Sequence, residues 1–213
     1  MTHTAFITPP SLLDPLNPQY EFLNERIQSL DFLFVDSIPP GAVTLETGEL
    51  HLNSGGGPGA EARAFRFNYG YVIPFTWDKQ ISITSRVTIK TGDNVNTFME
   101  IAAGRPEQVA KRIGFKFQQN CLYGVTADGT NRTETLLKND IVMGTQYTFK
   151  LQAILYPGVK CAFYLNDVLI ANAATNLPAG ADTSEILWGL WLQCYLVATV
   201  YIKTFEIMIA RYR

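Results

Sequence analysis

Apolar and polar residues alternate at period two along most of this chain, and the clearest example is Thr145–Gly180. Tyr147, Phe149, Leu151, Ala153 and Leu155 share one parity, while Thr148, Lys150 and Gln152 share the other. That is the pattern of a strand with one dry and one wet face. Tyr156-Pro157-Gly158 then supplies a turn, since Pro presets φ and Gly tolerates positive φ. Cys161, Phe163 and Leu165 alternate with Lys160, Ala162, Tyr164 and Asn166. Asn166-Asp167 opens a second tight turn, and Val168–Ala171 runs back. The stretch predicts a three-stranded antiparallel meander.

The same reading extends from Asp31 to the end. Strands are expected at Phe32–Val35, Val43–Glu46, Glu49–Asn53, Glu61–Asn68, Gly70–Phe75, Gln80–Lys90, Phe98–Ala102, Arg112–Gln118, Leu122–Thr126 and Thr133–Leu137. After the meander, Ile186–Gln193 and Val197–Arg211 follow, the second long enough to need a bulge or bend. About fourteen short strands separated by turns form the signature of a two-sheet sandwich. The expected fold is therefore all-β, a two-sheet antiparallel jelly-roll sandwich over residues 31–213. Residues 1–30 read differently. Pro9, Pro10, Pro15 and Pro18 punctuate an extended arm. Asn17 as cap and Pro18 at the first helical position predict one short helix, with Tyr20, Phe22, Leu23, Ile27 and Leu30 on its apolar side.

Composition changes this picture in three ways. The 213 residues are 47% hydrophobic and only 17% charged, with a net charge of −2. A chain of this size buries a sizeable core without metals or disulfides. Without a basic cluster, a nucleic-acid partner is not expected. Three cysteines, Cys121, Cys161 and Cys194, form no metal pair or disulfide framework, and Cys161 and Cys194 read as buried thiols. The first ten residues do not read as a signal peptide, and no apolar run reaches the ~20 residues of a membrane span. The expectation is synthesis in a cytoplasm, with no membrane partner.

Candidate chemistry is sparse. His3 and His51 are the two histidines; His51 lies on the polar side of its strand with no second zinc ligand nearby. Asp93, Asn94 and Asn96, or Asp128 with Asn131, are oxygen ligands of the kind Ca²⁺ takes, and equally the residues of tight turns. The turn reading is adopted, with no metal and no cofactor. Asn131-Arg132-Thr133 matches a glycosylation sequon that needs a secretory route. Trp188 and Trp191, three apart in a strand, point to opposite faces. Both faces of that strand and of Val197–Arg211 are apolar, which places each in a central or partner-covered position.

The succession of a strand ending in FYLND, then VLIA, a NLPAG loop, an apolar strand and a long last strand resembles the concanavalin A-like lectin/glucanase superfamily, including laminin-G-like domains. The early GELHLNSGGG segment resembles the strand after the first in that fold. The resemblance spans Asp31–Tyr212 and implies hydrolases, sugar lectins, adhesion modules or particle components. Glucanase-type members carry Glu-x-Asp-x-x-Glu on one strand, so that acid and nucleophile share a face. That triplet is absent here, and Glu134, Glu185 and Glu206 are isolated, so a non-enzyme is expected rather than a glycoside hydrolase. Two expectations remain. The first is a structural protein of a viral (phage) particle, found in the virion as a capsid decoration or cement protein. It would act through homo-oligomer and capsid-protein contacts, with Phe6, Ile7, Leu12 and Leu13 of the arm and Trp191 and Tyr201 at interfaces. The alternative is a glycan-binding lectin or host-attachment (tail-fibre) domain, with Trp77 exposed in a turn and Tyr69 and Tyr71 beside it.

Overall fold

The structure is a computed structural model that describes residues 20–26, 34–38, 41–46, 49–56, 60–67, 77, 80–91, 98–104, 110–154, 160–180, 186–194 and 199–212. Its strands are β1 (Tyr20–Arg26), β2 (Phe34–Ile38), β3 (Ala42–Glu46), β4 (Glu49–Asn53), β5 (Ala60–Phe67), β6 (Gln80–Thr91), β7 (Phe98–Gly104), β8 (Arg112–Gln118), β9 (Cys121–Ala127), β10 (Arg132–Lys138), β11 (Gln146–Ile154), β12 (Lys160–Leu165), β13 (Val168–Ala173), β14 (Ile186–Cys194) and β15 (Thr199–Tyr212). All pairings are antiparallel. An eight-stranded sheet runs β13-β12-β11-β6-β15-β4-β3, with β1 also on β15, and a seven-stranded sheet runs β10-β9-β8-β7-β14-β5-β2. The expected all-β sandwich is present.

The predicted helix is not. Residues 20–26 form a strand in register with β15, from Tyr20 opposite Tyr212 to Arg26 opposite Glu206. The apolar spacing of Tyr20, Phe22 and Leu23 suits a helix only in isolation. A long partner strand with an open edge satisfies the same backbone groups in the sheet, and tertiary pairing overrides local propensity. Residues 1–19, including Phe6, Ile7, Leu12 and Leu13, lie outside the described residues, as do Tyr69 and Tyr71.

The meander forms as the alternation dictates. Tyr147, Phe149, Leu151 and Ala153 of β11 and Cys161, Phe163 and Leu165 of β12 are all buried. Asn166 and Asp167 have φ of 49° and 64°, the left-handed pair that a two-residue hairpin with the twist of its strands requires. Asn166 fixes the turn further: its Oδ1 accepts from Thr148 N at 2.9 Å, and its own N donates to Thr148 O at 2.8 Å. Burial pushes the Cys161 thiol well above its usual range, so it is neutral and unreactive.

The core sits between the sheets. Phe115 of β8 meets Phe149 and Phe163 of the other sheet at centroid distances of 5.3 and 5.6 Å. Each such buried ring contributes about 1.5–3 kcal/mol by removal from water. Gly124 of β9 makes this approach possible, because a Cβ there would stand 2.7 Å from the Phe163 ring. Gly124→Val is therefore expected to destabilise the fold by about 1–3 kcal/mol through overpacking. Chemical denaturation measures this, and an unchanged midpoint would refute the account.

The two strands with two-sided apolar runs both lie inside their sheets. β14 lies between β5 and β7, and β15 pairs with β4, β6 and β1. The bend expected in the last strand occurs as register shifts between Thr199 and Val200 and between Ile202 and Thr204. The turn after β13 straps the sheets together. Thr126 Oγ1 donates to Thr175 O at 2.9 Å, and Asn176 Nδ2 donates to Thr133 Oγ1 at 2.7 Å.

Candidate functional site

Strand parity carries polar residues to the outer face of the seven-stranded sheet. Met99, Ile101 and Ala103 of β7 enter the core, as do Ile113, Phe115 and Phe117 of β8, Leu122 of β9 and Leu137 of β10. The alternate positions turn outward. Register then sets Glu100, Lys116, Tyr123 and Leu136 in one row across four strands. Gly104, Arg112, Ala127 and Arg132 form a second row. Between them lie the small Ala102 and Gly114, so long side chains from either side can meet above that gap. Gly114 has no room for more, since a Cβ would lie 2.1 Å from Ile101 O.

The result is a linked set of charges. Glu100 Oε1 pairs with Arg112 Nε, and both side chains are fully buried. Glu100 Oε2 lies 3.2 Å from Arg132 Nη2, which also reaches Glu134 Oε1 at 2.6 Å. Lys116 Nζ donates to both Glu134 oxygens at 3.0 Å. The Lys116 ammonium also stands 5.9 Å from the Tyr123 ring centroid, within cation–π range. Exposure increases toward the β10 edge: Lys116 is 12%, Arg132 18% and Glu134 30% exposed. Burial raises the Glu100 carboxyl above its ordinary range, against the opposing pull of Arg112 and then Arg132. Burial likewise lowers Arg112, against the pull of Glu100. Burial, then the hydrogen bond with Cys121, pushes the Tyr123 phenol up, so it stays neutral. A further ion pair, Glu61 with Arg63, lies on β5 of the same sheet.

The residues singled out in the sequence fall elsewhere. Trp77 is buried, which corrects the expectation of an exposed indole. Its backbone N donates to Gly180 O at 3.0 Å, and the indole sits against Gly104, whose absent Cβ would lie 2.9 Å from Trp77 Cζ2. Trp191 is placed by its backbone opposite Glu100 on one side and Arg63 on the other. Tyr201 is half-buried on the outer face of the other sheet. It stacks on His51 at 3.7 Å between centroids, with Lys90 Nζ 5.0 Å from its ring. His51 lies between Glu46 and Glu49, with 3.6 Å from Nδ1 and 3.5 Å from Nε2 to the nearest carboxylate oxygens.

Asp128 is a turn former. It accepts from Thr130 N and Asn131 N at 2.8 and 2.7 Å, and these bonds, that from Asn131 first, hold its carboxyl below the ordinary range. Asp93, Asn94 and Asn96 lie outside the described residues. Among the described residues, no three His, Cys, Asp or Glu side chains are grouped so as to hold a metal ion. Glu100, Arg112 and Lys116 were not singled out in the sequence. Their only signal was charge at alternate positions of β7 and β8, which reads as an ordinary wet face.

No family model matches the sequence, and no curated protein matches it. Solved structures do match in shape. A protein of unknown function from Shewanella oneidensis MR-1 superposes with a TM-score of 0.62 at 14% identity, over 98% of this chain and 97% of that one. An endo-β-1,4-glucuronan lyase from the fungus Trichoderma reesei gives 0.60 at 11% identity, over 89% and 94%. The binding domain of botulinum neurotoxin DC, in complex with SialylT, gives 0.60 at 14%, over 82% of this chain and 42% of the other. At these identities the likeness concerns the fold alone, a two-sheet antiparallel β-sandwich, which is consistent with the expected concanavalin A-like architecture.

Proposed function

We propose that this chain is a non-catalytic glycan-binding sandwich, with its binding surface on the outer face of the seven-stranded sheet around Lys116, Tyr123, Arg132 and Glu134. The observation that carries this reading is the row itself: a half-buried aromatic ring beside charged hydrogen-bonding groups, all held in place by their neighbours. Saccharide sites need a preset polar array beside an apolar platform, and strands position both more firmly than loops do. Glu61, Glu100 and Glu134 are each engaged by Arg or Lys. That arrangement suits holding a ligand rather than shuttling a proton. A lyase named for glucuronan and a binding domain complexed with SialylT share the fold, which is compatible with a saccharide ligand.

The test is calorimetric titration of the full chain with a panel of neutral and acidic oligosaccharides. Tyr123→Ala and Lys116→Ala are each expected to weaken binding about tenfold. A panel without any binder overturns the function, and full affinity in both variants overturns the location.

A second reading, a particle coat or decoration protein acting through protein contacts, draws on a different observation. Strand β13 ends the eight-stranded sheet, and its Val168, Leu169 and Ile170 are 60%, 49% and 41% exposed. The strand VLIANA carries no charge and no proline, the usual guards of a sheet edge. Light scattering after size exclusion checks it. Oligomers that dissociate when Leu169 is replaced by Lys support the reading, and a monomer at micromolar concentration removes it.

A further inference from the structure

Among the described residues, the charged cluster on β7, β8 and β10 holds more cations than carboxylates. Arg112, Lys116 and Arg132 face Glu100 and Glu134, three positive groups against two negative ones. Tyr123, the other titratable group in the row, is neutral. Arg112 is fully buried, and its Nη2 has no hydrogen-bond partner among the described residues; Nη1 reaches only Ala110 O, at 3.5 Å. The surplus of cations among these groups favours an anion at the accessible end of the cluster. At the accessible end of the cluster, Glu134 shows how such an anion is seated. Both its oxygens bind one ammonium at 3.0 Å, and one of them also binds the Arg132 guanidinium.

We propose that Lys116 and Arg132 form a carboxylate seat for an acidic glycan, a uronic-acid oligosaccharide, and that Glu134 fills this seat until the ligand displaces it. This rests on the glycan-binding reading and adds the ligand class. Glu134 is the most exposed member of the cluster and reaches the seat by side-chain rotation alone. A hexose C6 carboxylate presents the same pair of oxygens, and the Tyr123 ring beside Lys116 gives the sugar an apolar surface. The exchange leaves the cluster's net charge unchanged, because the ligand carboxylate takes the place of Glu134 once that side chain turns out to water. The site therefore discriminates by charge at C6 rather than by linkage.

The experiment uses two probes of one linkage, β-1,4-linked glucuronate hexamers and cellohexaose, which differ only in C6 oxidation. The full chain is expected to bind the glucuronate hexamer at least tenfold more tightly, with an affinity that falls as salt rises. Glu134→Gln removes the internal occupant while keeping its shape. It should raise glucuronate affinity about five- to tenfold and so widen the preference over cellohexaose. Lys116→Met should abolish the preference. Thermal unfolding of each variant checks that it is folded. If both hexamers bind equally, the carboxylate seat is overturned while the glycan-binding function stands. If glucuronate is preferred but Glu134→Gln weakens it, Glu134 is part of the site and the exchange is overturned. If neither these hexamers nor the wider panel binds, the function itself fails.

Discussion

Arg112→Met is expected to cost about 3–5 kcal/mol of folding stability, the loss seen when one partner of a buried ion pair is removed. Arg112 and Glu100 have no solvent exposure, and the Glu100 carboxylate faces the Arg112 guanidinium directly. Without Arg112, the ion pair left to the carboxylate among the described residues is with Arg132, at 3.2 Å and from the partly exposed side. The second arm of the prediction separates pairing from packing. Replacing both residues by apolar groups of similar size, Arg112→Met with Glu100→Leu, should return stability to within about 1 kcal/mol of the parent, because no charge is left buried. Equilibrium urea unfolding of the three proteins decides it. A double variant as unstable as the single one would mean that the pair is held for its shape.

The pH dependence has a definite sign. The folded-state pKa of Glu100 is raised above 4.5, mainly by burial, with Arg112 opposing. Its contribution to stability is thus fully present below the unfolded value and is lost as pH rises through the folded value. Arg112→Met removes the main opposing partner and raises Glu100 further. The single variant should therefore recover part of its deficit when measured at about pH 5 rather than about pH 8, and the double variant should not. An equal deficit at both would contradict the assignment.

Trp77→Ala is expected to destabilise the protein by a similar amount, about 3–5 kcal/mol, the cost of a large cavity in a packed core. The indole has no exposure and closes against Gly104, which takes a φ of 79° and lacks the side chain that would collide with it. Trp77→Phe, which leaves a smaller void, should cost less. At a temperature where Trp77→Ala is still folded, its glycan affinity should equal that of the parent. A variant that lost binding but kept stability would restore Trp77 as a ligand residue. Denaturant midpoints read beside calorimetry distinguish the two.

Trp77 also shows where sequence reasoning loses its grip. Beside Pro74 and Asp78 it has the local marks of an exposed turn. Its burial depends on Gly104 and on the carbonyl of Gly180, both far along the chain. Residues 20–26 fail for the same reason: one apolar spacing suits a helix or a strand until the open side of β15 is known. The ion-pair cluster was hidden differently. Glu100, Arg112 and Lys116 alternate with core residues as any wet face would, and nothing local marks two of them as buried. Conversely, Val168, Leu169 and Ile170 look like core and stand exposed, because β13 ends its sheet.

What the chain determined by itself is the framework. Period-two alternation, the Asn166-Asp167 hairpin and the two-sided apolar runs of β14 and β15 specify antiparallel strands, their inward faces and which strands are central. These are short-range consequences of strand geometry and turn sterics, so they are written in neighbouring residues. Tertiary structure alone decided which outward residues share a row and how deeply each is buried. Register across β7, β8, β9 and β10 joins side chains from separate strands into one charged, aromatic surface. Burial and ionisation there depend on what long-range pairing places around each group.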